Sequence, residues 1–197
     1  STLQVTVKGL AVPPAQFKVE LATVGEHNVR NALAAAACAL GAGIPVDAVV
    51  RGLQSFAPVN GRLQRKQARS GALVIDDTYN ASPQAVRAAI DWLATRSGIR
   101  ILTMGGLSDL GNLAEEEMHA LGVYAKAKGI DRLIATGTAN PIAEGYGENA
   151  QYLPTHDEVS ASLIENARDA DVILVKGSRS ARMDRVIDTL KLQQGGR

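Results

Sequence analysis

Short apolar runs alternate with longer helical stretches along most of the chain, and this alternation constrains the fold more than any other feature. The pattern predicts five strands, at 72–76, 100–104, 132–136, 151–153 and 171–175. The intervening stretches predict helices at about 82–95, 114–128, 140–146, 157–168 and 180–192. We therefore expect an α/β, Rossmann-like fold, with a mostly parallel, doubly wound sheet covered by helices on both faces.

The region before this sheet has a different pattern. Two short alternating strands flank Pro13-Pro14, which predicts a turn or an extended link. An alanine-rich helix then runs to about Leu40, and a second helix follows at 46–56. The sheet itself is expected to open with an N-terminal hairpin turning at Ser70-Gly71. The chain is predicted to have two domains, 1–59 and 60–197.

Composition and charge argue against several classes of function. A formal net charge of +1 gives no reason to expect a nucleic-acid partner. No apolar run approaches the ~18 residues needed to span a bilayer, and no signal peptide is recognisable, so membrane insertion is not expected. Cys38 is the only cysteine, which excludes an internal disulfide and suits the reducing cytoplasm. We expect it to be a buried helical thiol.

Three polar, glycine-bearing loops directly follow predicted strands. They are DDTYN at 76–80, GGLSD at 105–109 and KGSRS at 176–180. In open α/β sheets, ligands bind beyond the carboxyl ends of the strands. The sequence therefore predicts that these loops converge on one edge of the sheet and form a binding site there.

The first candidate motif is GEHNVRN, which begins at Gly25. Asn28 and Asn31 are three residues apart, so on a helix they share a face. Each carboxamide can donate and accept hydrogen bonds, as the edge of a purine requires. The alternative interpretation is a helix start, with asparagine as the cap and His27 in the first turn.

The second candidate motif combines Arg62 with Asp76 and Asp77. An arginine one hairpin away from two acids at a strand end could position the phosphates or ribose of a nucleotide. Paired acids could also hold Mg²⁺. The alternative is an ordinary surface ion pair, because adjacent residues of a strand point to opposite faces.

The third candidate motif is KGSRS, which begins at Lys176. It provides two cations, two hydroxyls and backbone N–H groups at a predicted helix start, and these could cradle a carboxylate or phosphate. It is not a P-loop, because the required glycine, lysine and hydroxyl order is absent. The alternative is a capped helix with Ser180 as N-cap, just as Ser82 before Pro83 predicts the N-cap of an earlier helix.

Four strings in this order resemble the Mur ligase family. They are GEHNVRNALAAA from Gly25, Gly61-Arg62, IDDTYNASP from Ile75, and VKGSRS from Val175 followed by Met183. The strings DDTYN and KGSRS favour the MurF branch. By this resemblance, residues 1–59 are the C-terminal part of a central ATPase domain and 60–197 a whole C-terminal Rossmann-like domain.

The resemblance implies an ATP-dependent ligase of bacterial peptidoglycan synthesis that acts in the cytoplasm. Such a ligase uses ATP and Mg²⁺ to activate UDP-N-acetylmuramoyl-tripeptide as an acyl phosphate, which the amine of D-alanyl-D-alanine attacks. His27, Asn28 and Asn31 would lie at the adenine. Arg62 and Asp77, or Asp76, would orient the ribose and phosphates. The residues expected to face the dipeptide or the reacting carboxylate are Asn80, Ser82, Lys176, Ser178 and Arg179. Of all these, Arg62, Asp77 and Lys176 are the expected catalytic residues.

The sequence also departs from the family pattern. The phosphate-binding loop is missing, as are the Mg²⁺ carboxylate and modified lysine that lie upstream in such enzymes. We therefore expect this chain to be a fragment that is inactive alone and needs the missing N-terminal and central-domain residues as partners. Loop 105–111 lacks the usual acidic second residue, since Gly106 stands there. Alternatives are a MurE-type ligase, a folylpolyglutamate synthase, or a non-catalytic module that binds a nucleotide or peptide.

Overall fold

The computed structural model describes residues 2–7, 15–21, 26–57 and 59–190, with some side chains at the edges of these ranges left out. The chain divides into two compact units, Ser1–Val59 and Asn60–Arg197. None of the helices in the described residues combines the length and apolar character needed to cross a bilayer.

The first unit pairs two strands with two helices. Strands β1 (Thr2–Val7) and β2 (Ala15–Glu20) are antiparallel, and helices α1 (Glu26–Gly41) and α2 (Val46–Ser55) follow. These are the elements that the sequence predicts, while Pro13-Pro14 lies outside the described residues. The core of the unit contains apolar side chains from all four elements, including Val5, Val19, Ala36, Leu40 and Val49.

The prediction that Cys38 is buried was wrong, because its side chain is exposed. The core-facing residues of α1 are Ala32, Ala36 and Leu40, which recur every four residues along one stripe. At about 100° per residue, Cys38 lies on the opposite side of the helix. An alanine-rich helix has weak contrast between its faces, so the sequence alone did not distinguish them.

The second unit is a six-stranded sheet with helices on both faces. In chain order its strands are β3 (Gln64–Gln67), β4 (Leu73–Asp77), β5 (Arg100–Met104), β6 (Arg132–Ala135), β7 (Ala150–Tyr152) and β8 (Val172–Lys176). The spatial order is β3-β4-β8-β5-β6-β7, and only β3 runs antiparallel to its neighbour. The predicted fold class, including the N-terminal hairpin, is confirmed.

The helices of this unit are α3 (Pro83–Ala94), α4 (Ala114–Ala127), α5 (Asn140–Tyr146), α6 (His156–Asn166) and α7 (Asp184–Thr189). Helices α6 and α7 bury Val159, Leu163, Val186 and Ile187 against one face of the sheet. The crossover through α6 runs back along the sheet from β7 to β8, whereas those through α3, α4 and α5 run the other way, from β4 to β5, β6 and β7. Because such crossovers are right-handed, α3, α4 and α5 lie on the other face.

The last helix does not start where the sequence predicts. Residues Arg179–Ala181 form a single 3-10 turn, and Arg182 has a left-handed backbone with φ of 50°. Helix α7 therefore begins at Asp184 rather than at residue 180. The hydroxyl of Ser180 does not cap a helix; it lies within hydrogen-bonding distance of two other serine hydroxyls. Residues 191–192 of the predicted helix lie outside the described residues.

Candidate active site

The fold places the three polar loops next to one another at the carboxyl edge of the sheet, as predicted. Strand β8 lies between β4 and β5, with Lys176 in register with both Asp77 and Met104. The chain leaves β4 toward α3 on one face of the sheet and leaves β8 toward α7 on the other. Neighbouring strands whose connections diverge in this way open a crevice, and such switch points are the usual ligand sites of open α/β sheets.

A buried ion pair lies at the base of this crevice. Lys176 Nζ lies 2.5 Å from Asp77 Oδ2, and the two side chains are 3% and 13% exposed. The ammonium also donates to the Asn80 carbonyl at 3.0 Å, and Asp77 Oδ1 accepts from the backbone N–H of Leu63 at 3.2 Å. The pair therefore ties together the ends of β4 and β8 and the start of the hairpin.

Asp76 points to the other face of β4, as alternation along a strand requires. Its Oδ2 lies 2.6 Å from Lys66 Nζ, and its Oδ1 accepts from the hydroxyl of Thr78 at 2.7 Å. Both aspartates are therefore engaged with groups of the chain itself. The described residues contain no group of three or more His, Cys, Asp or Glu side chains that could hold a metal ion.

Two arginines from different loops meet at one tyrosine ring. The guanidinium carbon of Arg62 lies 4.4 Å from the centroid of the Tyr79 ring, and that of Arg179 lies 5.7 Å from it. The loop is held by a hydrogen bond from the Tyr79 N–H to the Gly61 carbonyl, and Gly61 has a φ of 73°. A Cβ at Gly61 would lie 2.8 Å from the Tyr79 nitrogen, so only glycine fits this close approach.

Both arginines are available to anionic ligands. Each side chain is exposed, and within the described part of the chain neither forms an ion pair with an acidic residue. Guanidinium groups stacked on an aromatic ring retain their outward-facing N–H donors for carboxylate or phosphate. The edge of the crevice therefore presents two cations at the Tyr79 ring, beside Lys176, whose charge is already neutralised by Asp77.

Serine hydroxyls connect the loops that follow β5 and β8. The buried Ser178 donates through both its N–H and its hydroxyl to the Gly106 carbonyl, at 3.0 and 2.8 Å. Ser180 Oγ lies 3.1 Å from Ser178 Oγ and 3.0 Å from Ser108 Oγ. The hydroxyls of the predicted cradle therefore lie close together, but the hydrogen of the Ser178 hydroxyl is used within the loops. Anion binding by these residues stays a prediction.

Ser82 and Asn80 occupy the loop between β4 and α3. Ser82 Oγ accepts from the backbone N–H of Ala85 at 3.3 Å, which makes it the N-cap of α3, as predicted. Asn80 is exposed, and its Oδ1 accepts from the backbone N–H of Ala81 at 2.9 Å. The side-chain nitrogen of Asn80 has no hydrogen-bond partner among the described residues.

The predicted adenine-binding residues belong to the first unit. Asn28 and Asn31 both lie in α1, where Asn28 is half-buried and Asn31 is exposed. The side chain of His27 lies outside the described residues. Their role in nucleotide binding therefore stays a prediction.

Tyr79, Ser108 and Ser180 contribute to this arrangement but were not among the predicted site residues. Each lies in one of the three loops that the strand pattern singles out, so their neighbourhood was predicted but not their contacts. The signal that could have found them is position alone, since every one follows a strand end by two to four residues.

Comparison with known proteins supports the resemblance. Residues 61–179 match the family described as "Mur ligase, glutamate ligase domain", and this match extends over more than half of the chain. The chain belongs to the Mur ligase family. The predicted family is thereby confirmed.

Two relatives within the Mur ligases share one name. The UDP-N-acetylmuramoyl-tripeptide–D-alanyl-D-alanine ligase of Escherichia coli strain K12 is 35% identical over 189 residues, covering 92% of this chain and 41% of that protein. The ligase of the same name from Mycobacterium tuberculosis strain H37Rv is 35% identical over 205 residues, covering 89% and 40%. The chain thus spans about two fifths of the length of the curated relatives it matches.

Solved structures of Mur ligases have the same fold. Crystal structure II of MurF from Acinetobacter baumannii superposes with a TM-score of 0.81 at 34% identity, covering 91% of this chain and 41% of that one. MurF from Thermotoga maritima in complex with ADP has a TM-score of 0.77 at 24% identity, covering 95% and 46%. The second similarity is one of fold.

Proposed function

We propose that the protein to which this chain belongs joins D-alanyl-D-alanine to UDP-N-acetylmuramoyl-tripeptide at the expense of ATP, in the cytoplasm. The observation that carries the proposal is the crevice between β4 and β8, where Arg62 and Arg179 meet at Tyr79 beside the buried Lys176–Asp77 pair. The names of the relatives support this branch over a MurE-type ligase or a folylpolyglutamate synthase.

The reaction requires charge stabilisation more than covalent chemistry by the protein. Activation of a carboxylate by ATP and attack of an amine on the acyl phosphate both pass through species with concentrated negative charge. Pre-arranged cations and N–H donors at such charge are the most effective contribution a site can make. Arg62 is the residue we assign to the phosphate oxygens, because its guanidinium is exposed and its orientation is held by Tyr79.

Lys176 and Asp77 act as a unit in this proposal. Two of the three ammonium hydrogens of Lys176 are directed at Asp77 and at the Asn80 carbonyl. We assign the third to a ligand oxygen. Because the pair is nearly buried, the lysine is held in one geometry and can stabilise developing charge without reorganising.

ATP and Mg²⁺ differ in how well these residues fit them. The phosphates of ATP fit the exposed guanidinium of Arg62. Asn28 and Asn31 belong to the first unit, and their role at an adenine stays a prediction. A Mg²⁺ ion does not fit Asp76 and Asp77, since the two carboxylates point to opposite faces of the sheet and each forms an ion pair with a lysine of this chain. We assign Mg²⁺ no ligand among the described residues.

Arg179 is the residue we assign to the carboxylate of the incoming dipeptide, with Asn80 and Ser82 at the same edge. Replacing Arg179 with alanine in the full-length enzyme is expected to raise KM for D-alanyl-D-alanine by about tenfold or more while KM for ATP changes little. Steady-state kinetics at varied dipeptide measure this. Arg69→Ala, an exposed arginine on the hairpin turn, is the matched control and should leave both constants unchanged.

An unchanged KM for the dipeptide in Arg179→Ala would remove that assignment. A full-length protein that binds ATP and the dipeptide but forms no amide bond would instead favour the non-catalytic binding module. The isolated 197-residue chain is expected not to consume ATP, because it contains no P-loop sequence. Phosphate release by the isolated chain in the presence of both substrates would contradict this expectation.

The two units correspond, in this proposal, to two domains of the ligase. Residues 1–59 would be the end of the central ATPase domain and 60–197 the C-terminal domain. The proposed roles of Asn28, Asn31 and His27 at the adenine depend on this assignment. Binding of an adenine-modified photoaffinity analogue of ATP to the full-length enzyme, followed by peptide mapping, tests it; labelling confined to 60–197 would contradict it.

A further inference from the structure

Three serine hydroxyls form a continuous row between the loops that follow β5 and β8. We call Ser108, Ser180 and Ser178 the serine row. Ser178 is 1% exposed, Ser180 is exposed and Ser108 is half-buried, so the row connects a buried hydroxyl to two that solvent reaches. Neighbouring hydroxyl oxygens in the row are 3.0 and 3.1 Å apart.

The direction of every hydrogen bond in the row follows from its inner end. The Gly106 carbonyl can only accept, so the Ser178 hydroxyl donates its single hydrogen there. Ser178 must therefore accept from Ser180, and Ser180 must in turn accept from Ser108. All three hydroxyl hydrogens are engaged. Ser178 and Ser180 each use one of their two lone pairs, so Ser108 Oγ is the one hydroxyl oxygen of the row with both lone pairs open.

We propose that Ser108 Oγ is a binding site for a primary amine, and that its ligand is the amino group of the incoming dipeptide. This inference rests on the proposed function, because that function supplies the amine. It also assigns a role to loop 105–111, the segment in which this chain departs from the family pattern.

The chemistry of the row selects an N–H donor over an anion. A carboxylate or phosphate needs donors, and Ser108 can provide one only if the row is broken. An amine or ammonium donates, so it can bind without disturbing any of the three bonds. The presence of Arg179 next to Ser180 complements this preference, since the arginine takes an anion.

A zwitterion matches both groups. Ser180 and Arg179 are consecutive, and their Cα atoms are separated by about 3.8 Å. An extended dipeptide spans about 7 Å between its ends. In this proposal its carboxylate binds the Arg179 guanidinium and its amine binds Ser108, whose hydroxyl lies 3.0 Å from that of Ser180.

The row holds the amine but does not remove its proton. Its inner end is an amide carbonyl, which is not a base at neutral pH, so no proton can be passed along the three hydroxyls and retained there. Ser108 is thus a substrate-binding residue, and the expected effect of losing it lies in dipeptide affinity.

The decisive experiment compares two ligands that differ only in the amine. Dissociation constants of D-alanyl-D-alanine and of propionyl-D-alanine, which lacks the amino group, are measured by calorimetry on the full-length enzyme. Ser108→Ala is expected to weaken D-alanyl-D-alanine about tenfold and to change propionyl-D-alanine by less than about twofold. Ser108→Thr, which keeps the hydroxyl, should bind both ligands within about threefold of the wild type.

Ser162→Ala is the matched control. Ser162 is a half-buried serine of α6 whose hydroxyl lies 3.5 Å from Gln151 Oε1, and its loss should change neither constant. An equal loss for both ligands in Ser108→Ala, or no loss for either, would overturn the inference while leaving ligation of D-alanyl-D-alanine by the wild type intact. Absence of both binding and ligation of D-alanyl-D-alanine by the wild type would overturn the proposed function, and this inference with it.

Discussion

Removing the lysine of the buried ion pair should destabilise the second unit. In Lys176→Met the apolar stem is retained, but among the described residues the Asp77 carboxylate keeps only the Leu63 N–H as a partner. Breaking a buried pair by removing one member typically costs about 3–5 kcal/mol, because the other charge stays buried without compensation. Asp77 is 13% exposed and retains one hydrogen bond, so we expect a loss of about 3 kcal/mol.

The second unit can be monitored separately. Trp92 is the only tryptophan of the chain and lies in α3, so its fluorescence during urea denaturation reports the unfolding of this unit. The free energy of unfolding of Lys176→Met is compared with that of Asp77→Leu and of the double variant. If the pair acts as a unit, the destabilisation of the double variant should be about 2 kcal/mol smaller than the sum of the two single destabilisations.

Two results would refute this reasoning. A loss below about 1 kcal/mol in Lys176→Met would mean that water reaches the pair and that burial does not govern its energy. Strict additivity in the double variant would mean that the two side chains contribute independently, despite a separation of 2.5 Å. Arg69→Ala, at the exposed hairpin turn, should show no loss and serves as the control.

Four further changes have expected outcomes. Tyr79→Leu should lower the affinity of the full-length enzyme for ATP and dipeptide together, whereas Tyr79→Phe, which keeps the ring, should not; calorimetry checks this. Ser82→Ala should lower the free energy of unfolding by about 1 kcal/mol through loss of the cap, and Ser82→Asp should retain most of it. Gly122→Ala should cost about 1–3 kcal/mol in urea denaturation, because a Cβ there would lie 2.0 Å from the Ile142 carbonyl oxygen of α5. The hydrogen bond from Arg100 holds the pKa of Asp131 below its ordinary value of 3.8. The stability that this pair contributes should therefore be present above that pH and lost as the pH falls below it. In Asp131→Asn the fall in the free energy of unfolding at acid pH, the acid limb, should be less steep.

Each of these has an outcome that contradicts it. Equal binding losses in Tyr79→Phe and Tyr79→Leu would show that the ring does not support the arginines. A neutral Ser82→Ala would show that another group caps α3, and a stabilising Gly122→Ala would show that α4 and α5 can separate without cost. An acid limb in Asp131→Asn as steep as in the wild type would assign the acid sensitivity to other carboxylates, such as Asp184, whose pKa is lowered by its hydrogen bond to Arg182.

Local sequence signals were sufficient for most elements of this protein, although not for the start of the last helix. Strand and helix positions depend on the spacing of apolar residues and on cap and turn residues within a few positions, so 100–104, 140–146 and the Ser82 cap were predictable. The order of polar loops after strands also predicted the edge of the sheet that holds the candidate site, because parallel strands bring their carboxyl ends together.

The contacts within the site depend on the tertiary structure. Lys176 and Asp77 are 99 residues apart in sequence, and Ser108 and Ser180 are 72 apart, so no local pattern can reveal that they meet. The same long-range bonds explain the error at Ser180, whose hydroxyl joins Ser108 and Ser178 instead of capping a helix. The sequence alone therefore determined the fold class, most of the elements and the edge that carries the candidate site. Only the packing of distant strands decided which side chains are buried, which are paired and which remain open to a ligand.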